Sequence, residues 1–145
     1  MIAQRIEQLE ASKKIRKRLP DIPKMRSLLE SSKENAIAAL SILLTDIVST
    51  IVFVSVYESI RKLGDCKWWL IGYEPVNNHE VTMEILMEDN DPTFTHVDRF
   101  RRIRHDANYR GYKVTFDQAK EIIGFWDKQG LSLLETLKGE VEKRT

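Results

Sequence analysis

The chain has 145 residues, a formal net charge of +1 and one cysteine. This length suits a single domain with one moderate core. The near-neutral charge excludes a global positive field, so any site for nucleic acid must be local. Cys66 cannot form an internal disulfide, and the N-terminus is too charged for an export signal. Together these features predict a cytoplasmic protein.

The N-terminal region is predicted to be a helical extension over residues 1–30, followed by the main domain over residues 31–145. Apolar residues at helical spacing indicate a first helix over residues 2–18. That helix would end in a basic run from Lys13 to Arg18, where cations interact favourably with the helix dipole. A nucleic-acid contact is the alternative, although no aromatic residue interleaves the charges.

The most hydrophobic segment runs from Ala36 to Tyr57 and is predicted to be one helix. A capping box of Ser31 and Glu34 would precede it, and Gly64 would end it. Its 22 residues are enough to span a bilayer. We expect instead a helix buried in a bundle or in a dimer interface, and no membrane, because the segment contains a central carboxylate and several hydroxyl groups.

That carboxylate belongs to Asp46. Inserting it into a bilayer would cost about 2.5–3.5 kcal/mol, and burying it in a protein is also expensive unless it is paired. Asp46 is therefore predicted to be a structural partner of a basic group from the second half of the chain. Arg104 is the first candidate and His105 the second.

Residues 65–78 are predicted to be a connector carrying Trp68 and Trp69. Adjacent tryptophans cannot both face inward from one regular helix, so one is expected to be an anchor at the surface or in an interface. His79 begins a sequence like the HExxH zinc motif, but Met83 stands where the second histidine should be. No metal site is therefore predicted.

The arginine-rich stretch over residues 98–112 is predicted to be a helix. Phe100, Ile103 and Ala107 fall at i, i+3 and i+7, which indicates a narrow buried stripe. Arg104 lies beside this stripe, at the edge of the core. A guanidinium in that position needs partners, and its planar shape suits phosphate or carboxylate.

A long amphipathic helix is predicted to close the chain. Thr115 and Gln118 form a capping box, and apolar residues then recur at steps of three and four from Ala119 to Val141. Gly130 lies on the apolar face, where it would permit close approach of another helix. No strand is needed anywhere, so the predicted class is all-α.

The order of these elements resembles the HEPN domain family. The resemblance covers roughly residues 32–142 and implies a four- or five-helix bundle, here with an extra N-terminal helix. It also implies a homodimer in which the motifs of two subunits face a shared cleft. The most specific part is Arg104-His105-Asp106-Ala107-Asn108-Tyr109 with Gly111-Tyr112, and the supporting parts are Tyr57-Glu58-Ser59-Ile60-Arg61 and Asn78-His79-Glu80.

The family signature is an arginine followed, four to six residues later, by a histidine. Counted from Arg104, that position holds Tyr109. Tyrosine has an ordinary pKa near 10 and is a poor general base at neutral pH. A second register, Arg99 with His105, does satisfy the spacing but leaves Arg104 unexplained.

Three functions stay open, and the sequence implies no cofactor. We expect a dimeric module that binds a nucleotide, RNA or a partner protein, with phosphate held by Arg101, Arg104, Asn108 and Tyr112. The first alternative is a metal-independent ribonuclease of toxin–antitoxin or defence type, with Arg104, His105 and Tyr109 as catalytic residues. The second is a helical scaffold that binds nothing. A nucleotidyltransferase-type antitoxin is the partner that the resemblance suggests.

Overall fold

The computed structural model describes residues 3–88 and 92–145, and most of them are helical. This confirms the predicted all-α class, although two short strands form a small antiparallel sheet. The strands are β1 (Ile15–Lys17) and β2 (Tyr73–Pro75). The helices are α1 (Ala3–Ala11), α2 (Ile22–Leu40), α3 (Ser49–Leu70), α4 (His79–Glu84), α5 (His96–Tyr109), α6 (Phe116–Phe125) and α7 (Leu131–Glu142). Shorter 3-10 turns cover Ile85–Met87 and Pro92–Thr95, and a π-helical turn covers Trp126–Gly130.

Helix α3 is the centre of the bundle. It packs against α2, α4, α5, α6 and α7, and its side chains Phe53, Tyr57 and Trp68 are wholly buried. A buried hydrogen bond ties it to α2, donated by the Ser32 hydroxyl to the Ser59 carbonyl at 2.6 Å. Because α3 touches so many neighbours, side chains from its middle can take part in a site built by other helices.

The predicted single helix from Ala36 to Tyr57 is wrong. Helix α2 ends at Leu40, residues 41–48 form a loop, and α3 then begins. Helix α2 also starts earlier than expected, because Asp21 caps it by accepting a hydrogen bond from the Lys24 amide at 2.9 Å. It therefore runs across the predicted boundary at residue 30. No described helix is long and apolar enough to cross a membrane.

The prediction that Gly64 ends α3 is wrong, because the helix continues to Leu70. A Cβ atom at Gly64 would lie 2.7 Å from the carbonyl oxygen of Thr82, so this glycine permits α4 to lie against α3. The helix continues through both tryptophans. Trp68 and Trp69 are 0% and 9% exposed, so the expectation that one of them lies at the surface is also wrong. They can both be buried because α3 has neighbours on several sides.

The predicted first helix over residues 2–18 is wrong as well. Helix α1 ends at Ala11, and Lys13 has a left-handed backbone with φ of 60°. The chain then forms β1, where the side chain of Ile15 is buried. The basic run consequently lies on a turn and a strand that pairs with β2, and the helix-dipole explanation does not apply to it.

The C-terminal helical pattern is confirmed, with one irregularity. The Thr115–Gln118 capping box is present in both directions at 3.0 and 3.1 Å. The helix passes through the π-helical turn between α6 and α7. Gly130 contacts the ring of Trp126 from its own turn, so its role is to admit that indole and not, as predicted, another helix.

Candidate functional site

A groove of about 290 Å³ opens between α5, the start of α4 and the middle of α3. Helix α3 contributes a single lining side chain, the segment around the start of α4 contributes four, and α5 contributes four. The lining residues are Tyr57, Asn77, Asn78, His79, Glu80, Arg101, Arg104, His105 and Tyr109.

Aromatic packing fixes the orientation of α5 beside this groove. The ring of Phe100 makes edge contacts with Phe53 at 6.0 Å and with Phe125 at 5.4 Å between centroids. Ile103 and Ala107 pack against the same core. The predicted stripe is thus confirmed, and it holds one face of α5 inward while the neighbouring face borders the groove.

Arg104 lies at the edge of the core, as its spacing predicted. Its guanidinium carbon is 5.8 Å from the centroid of the Tyr57 ring. Its Nη2 atom is 3.6 Å from Oε1 of Glu58, which is longer than a hydrogen bond. Its Nε atom is buried and has no hydrogen-bond partner among the described residues. Arg104 is therefore held by packing and a weak ion pair, and an N–H donor remains unused.

The predicted pairing of Asp46 with Arg104 is wrong. Asp46 lies in the exposed loop over residues 41–48. Because the helix breaks there, this carboxylate stays in water and needs no basic partner. The carboxylate that approaches Arg104 comes from Glu58, one residue after Tyr57 on α3. Its other oxygen, Oε2, accepts a hydrogen bond from Arg61 Nε at 2.9 Å.

Tyr57 forms the floor of the groove. The residue is wholly buried, and its hydroxyl oxygen has no hydrogen-bond partner among the described residues. Burial raises the pKa of this phenol above its ordinary value, an effect that the charge of Arg104 opposes only in part. The hydroxyl therefore remains protonated at neutral pH and is able to donate a hydrogen bond.

His79 forms a second aromatic wall, which the sequence did not identify as part of a site. Its ring stacks on Tyr57 with centroids 6.3 Å apart and planes 15° apart. Asn78 positions it by capping α4, accepting a hydrogen bond from the Val81 amide at 3.1 Å. Burial lowers the pKa of His79, and the charges of Arg61 and Arg104 lower it further. The imidazole is consequently neutral at pH 7.

The structure brings together four of the six residues that were predicted to be catalytic or to bind phosphate. Arg101, Arg104, His105 and Tyr109 line the groove, whereas Asn108 and Tyr112 do not. Arg101 is held by Asp98, with Nη2 at 3.1 Å from Oδ1. His105 and Tyr109 are exposed and form a pair of rings 4.8 Å apart at the rim.

Tyr112 and Arg99, which were also candidates for the site, lie outside the groove. Tyr112 follows a turn at Gly111, which has φ of 68°, and its side chain is exposed. Arg99, the alternative signature arginine, pairs with Glu121 of α6 and does not line the groove, although His105 does. The register that joins Arg99 to His105 therefore does not place both side chains in one cavity.

Cys66 does not line this groove, and the described residues form no metal-binding cluster there. Burial raises the pKa of the Cys66 thiol to about 12, so it is not a thiolate at neutral pH. Within residues 3–88 and 92–145, no group of three or more His, Cys, Asp or Glu side chains is arranged to hold a metal ion.

Comparisons with family models, curated proteins and solved structures found no significant match to this chain.

Proposed function

We propose that the groove binds the phosphate of a nucleotide or RNA, and that the protein is a dimeric binding module of the HEPN type. The observation that carries this proposal is a pair of unused donors on two residues that line the groove. Arg104 Nε and the Tyr57 hydroxyl are both buried and both lack a partner in the described structure. Leaving such a donor unsatisfied costs about 1–3 kcal/mol, and a phosphate oxygen would remove that cost.

Arg104 is only partly neutralised by its carboxylate neighbour, so its charge remains available to an anionic ligand. Glu58 Oε1 is 3.6 Å away, so it attracts Arg104 without a hydrogen bond. Phosphate offers oxygens in the geometry that suits a guanidinium fork. Arg101 adds a second positive charge from the same helix, although Asp98 partly neutralises it.

Dimerisation is supported by an exposed apolar surface around the loop that joins α2 and α3. Large aliphatic side chains are concentrated there and few charges interrupt them, which is typical of the centre of a protein interface. Leu43 and Ile47 are each 85% exposed. The six members of this apolar surface are Ile37, Leu40, Ile42, Leu43, Ile47 and Ile51.

The proposal is tested by measuring how fluorescently labelled RNA binds in EDTA. Arg104→Gln should weaken binding by roughly 10–100-fold, because it removes charge-assisted hydrogen bonds worth about 1.5–3 kcal/mol. Arg102→Gln is the matched control. Arg102 is on the same helix and carries the same charge, but it is 66% exposed and pairs with Asp98. Equal effects of the two substitutions would reject a specific role for the groove.

A metal-independent ribonuclease is the second candidate, and a specific observation favours it. The neutral imidazole of His79 lines the groove with Arg104, and His105 lies at the rim. His79 or His105 would take the 2′-OH proton while the 2′ oxygen attacks phosphorus. The bond to the 5′ oxygen then breaks, and that oxygen takes a proton from water. Arg104 would stabilise the charge that develops on phosphorus. The products are a 2′,3′-cyclic phosphate and a 5′-hydroxyl.

The same RNA incubations distinguish these candidates when the products are separated by electrophoresis. Cleavage in EDTA that is lost in His79→Gln or His105→Gln, and in Arg104→Gln, would establish the ribonuclease. Binding without cleavage would support the module. If the protein neither binds nor cleaves RNA, the scaffold alternative remains, and a nucleotidyltransferase-type antitoxin would then be the partner to test.

A further inference from the structure

The groove at Arg104 continues into two further cavities. A polar cavity of about 190 Å³ shares Asn77, Asn78 and His79 with it. An open groove of about 890 Å³ shares Lys24, Trp69 and Glu74 with that second cavity. Because neighbouring cavities have wall residues in common, they lie side by side in a row from α5 to β1, which we call the track.

Cations outnumber carboxylates along this track by six to four. The cations are Lys17, Arg18, Lys24, Arg61, Arg101 and Arg104. The carboxylates are Asp21, Asp65, Glu74 and Glu80. Three of these four already have internal partners: Asp21 caps α2, Asp65 accepts from Arg61, and Glu74 accepts from Arg16 and Arg18.

The far end of the track is formed by the basic run that follows α1. Glu74 engages two of its arginines: the hydrogen bond from Arg18, and to a lesser degree the one from Arg16, lowers the pKa of that carboxyl, and burial opposes this only in part. Lys17 is exposed and has no ion pair within the described parts of the chain. Trp69, 52 residues away in the chain, lines the same groove. The aromatic neighbour that the basic run lacks in sequence is therefore supplied by the fold.

We propose that a single strand of nucleic acid lies along this track, with one phosphate at Arg104 and others near Lys17 and Lys24. The inference rests on the proposed function and extends it from one phosphate to a polymer. Spaced cations with an exposed ring beside them suit a strand whose bases stack. Tyr109 is the most accessible such ring, at 72% exposed, and pairs with His105 at the rim.

The test compares oligo-uridines of about 3 and about 15 nucleotides by fluorescence anisotropy in EDTA, a range that spans typical single-strand site sizes. The wild-type protein should bind the longer strand more tightly. The double variant Lys17→Ala, Lys24→Ala should weaken binding of the longer strand by about tenfold and leave the shorter strand unchanged. For single strands, the slope of log K against log salt should also fall by about 1.4, which corresponds to two lost phosphate contacts.

Lys120→Ala with Lys128→Ala is the matched control, because both lysines are exposed and lie outside the track. If Lys17→Ala, Lys24→Ala binds both lengths as the wild type does, while Arg104→Gln weakens both, the track is wrong and the proposed function stands. If the wild type binds neither length, both fail. If polyglutamate displaces the longer strand as well as unlabelled RNA does, the track binds an acidic protein and the inference is overturned.

Discussion

Replacing Tyr57 with phenylalanine should stabilise the protein and weaken its binding of an anion. The hydroxyl of Tyr57 is buried and has no partner in the described structure, so the fold gains nothing from it. Phenylalanine keeps the ring that Arg104 and His79 contact. The substitution therefore removes a polar group and leaves the packing of the groove floor intact.

The two effects can be estimated separately. An unsatisfied buried hydroxyl costs about 1–3 kcal/mol, and for a domain of this size each kcal/mol corresponds to roughly 3 °C in Tm. Tyr57→Phe should thus raise Tm by roughly 3–9 °C. A hydrogen bond from the hydroxyl to a charged phosphate is worth about 1.5–3 kcal/mol, so affinity should fall by roughly 10–100-fold.

Thermal unfolding and anisotropy with the same labelled RNA measure both quantities. Tyr112→Phe is the control, because its side chain is exposed and does not line the groove. It should change neither Tm nor affinity. A lower Tm for Tyr57→Phe together with unchanged affinity would refute the reasoning, because it would mean that the hydroxyl serves the fold and not a ligand.

Three further predictions concern stability and assembly. Gly64→Ala should destabilise the protein by about 1–3 kcal/mol, because its Cβ would lie 2.7 Å from a backbone oxygen of α4. Gly139→Ala is the control: its added Cβ meets nothing within 4 Å, so it should stabilise the protein by about 0.5–1 kcal/mol. If urea titrations gave changes of the same sign in the free energy of unfolding for both substitutions, the packing would be contradicted. The pKa of His79 is lowered in the folded protein, so the unfolded chain takes up a proton first as the pH falls. The contribution of neutral His79 to stability is therefore complete above the unfolded pKa of about 6.5 and is lost as pH falls below it. Urea titrations from about pH 7.5 to 5.5 should show a smaller loss for His79→Gln than for wild type. The wild type should be a dimer by light scattering, and Leu43→Asp with Ile47→Asp should be a monomer; a monomeric wild type or a persistent dimer would contradict the proposed interface.

The sequence predicted helices well where local signals and packing agree. The stripe on α5 and the capping box of α6 depend on residues three or four apart, and both are confirmed. Errors arose where a more distant element decides the outcome. Gly64 was predicted to end a helix, but its role depends on its close approach to Thr82 of α4, which no local pattern reveals.

The candidate site shows the same division. The position of Arg104 follows from the spacing of its own helix, whereas its neighbours come from other elements. Asp46 was predicted to be its partner because a continuous helix would bury that carboxylate; the loop after α2 exposes it instead. Glu58 and His79 approach Arg104 only because α3 and α4 pack against α5. The Asn78 cap fixes His79 at a helix start, but no local pattern places that helix beside Arg104.

The most direct measurement is an NMR titration that observes the Nε–H groups of the arginine side chains while oligo-uridine is added in EDTA. Arg104 Nε is buried and unpartnered, so a phosphate that enters the groove should shift its resonance. The resonance of Arg102, which is exposed, should stay nearly constant. RNA binding that moves other arginines and leaves Arg104 unchanged, or no shift at saturating RNA, would contradict the proposed site.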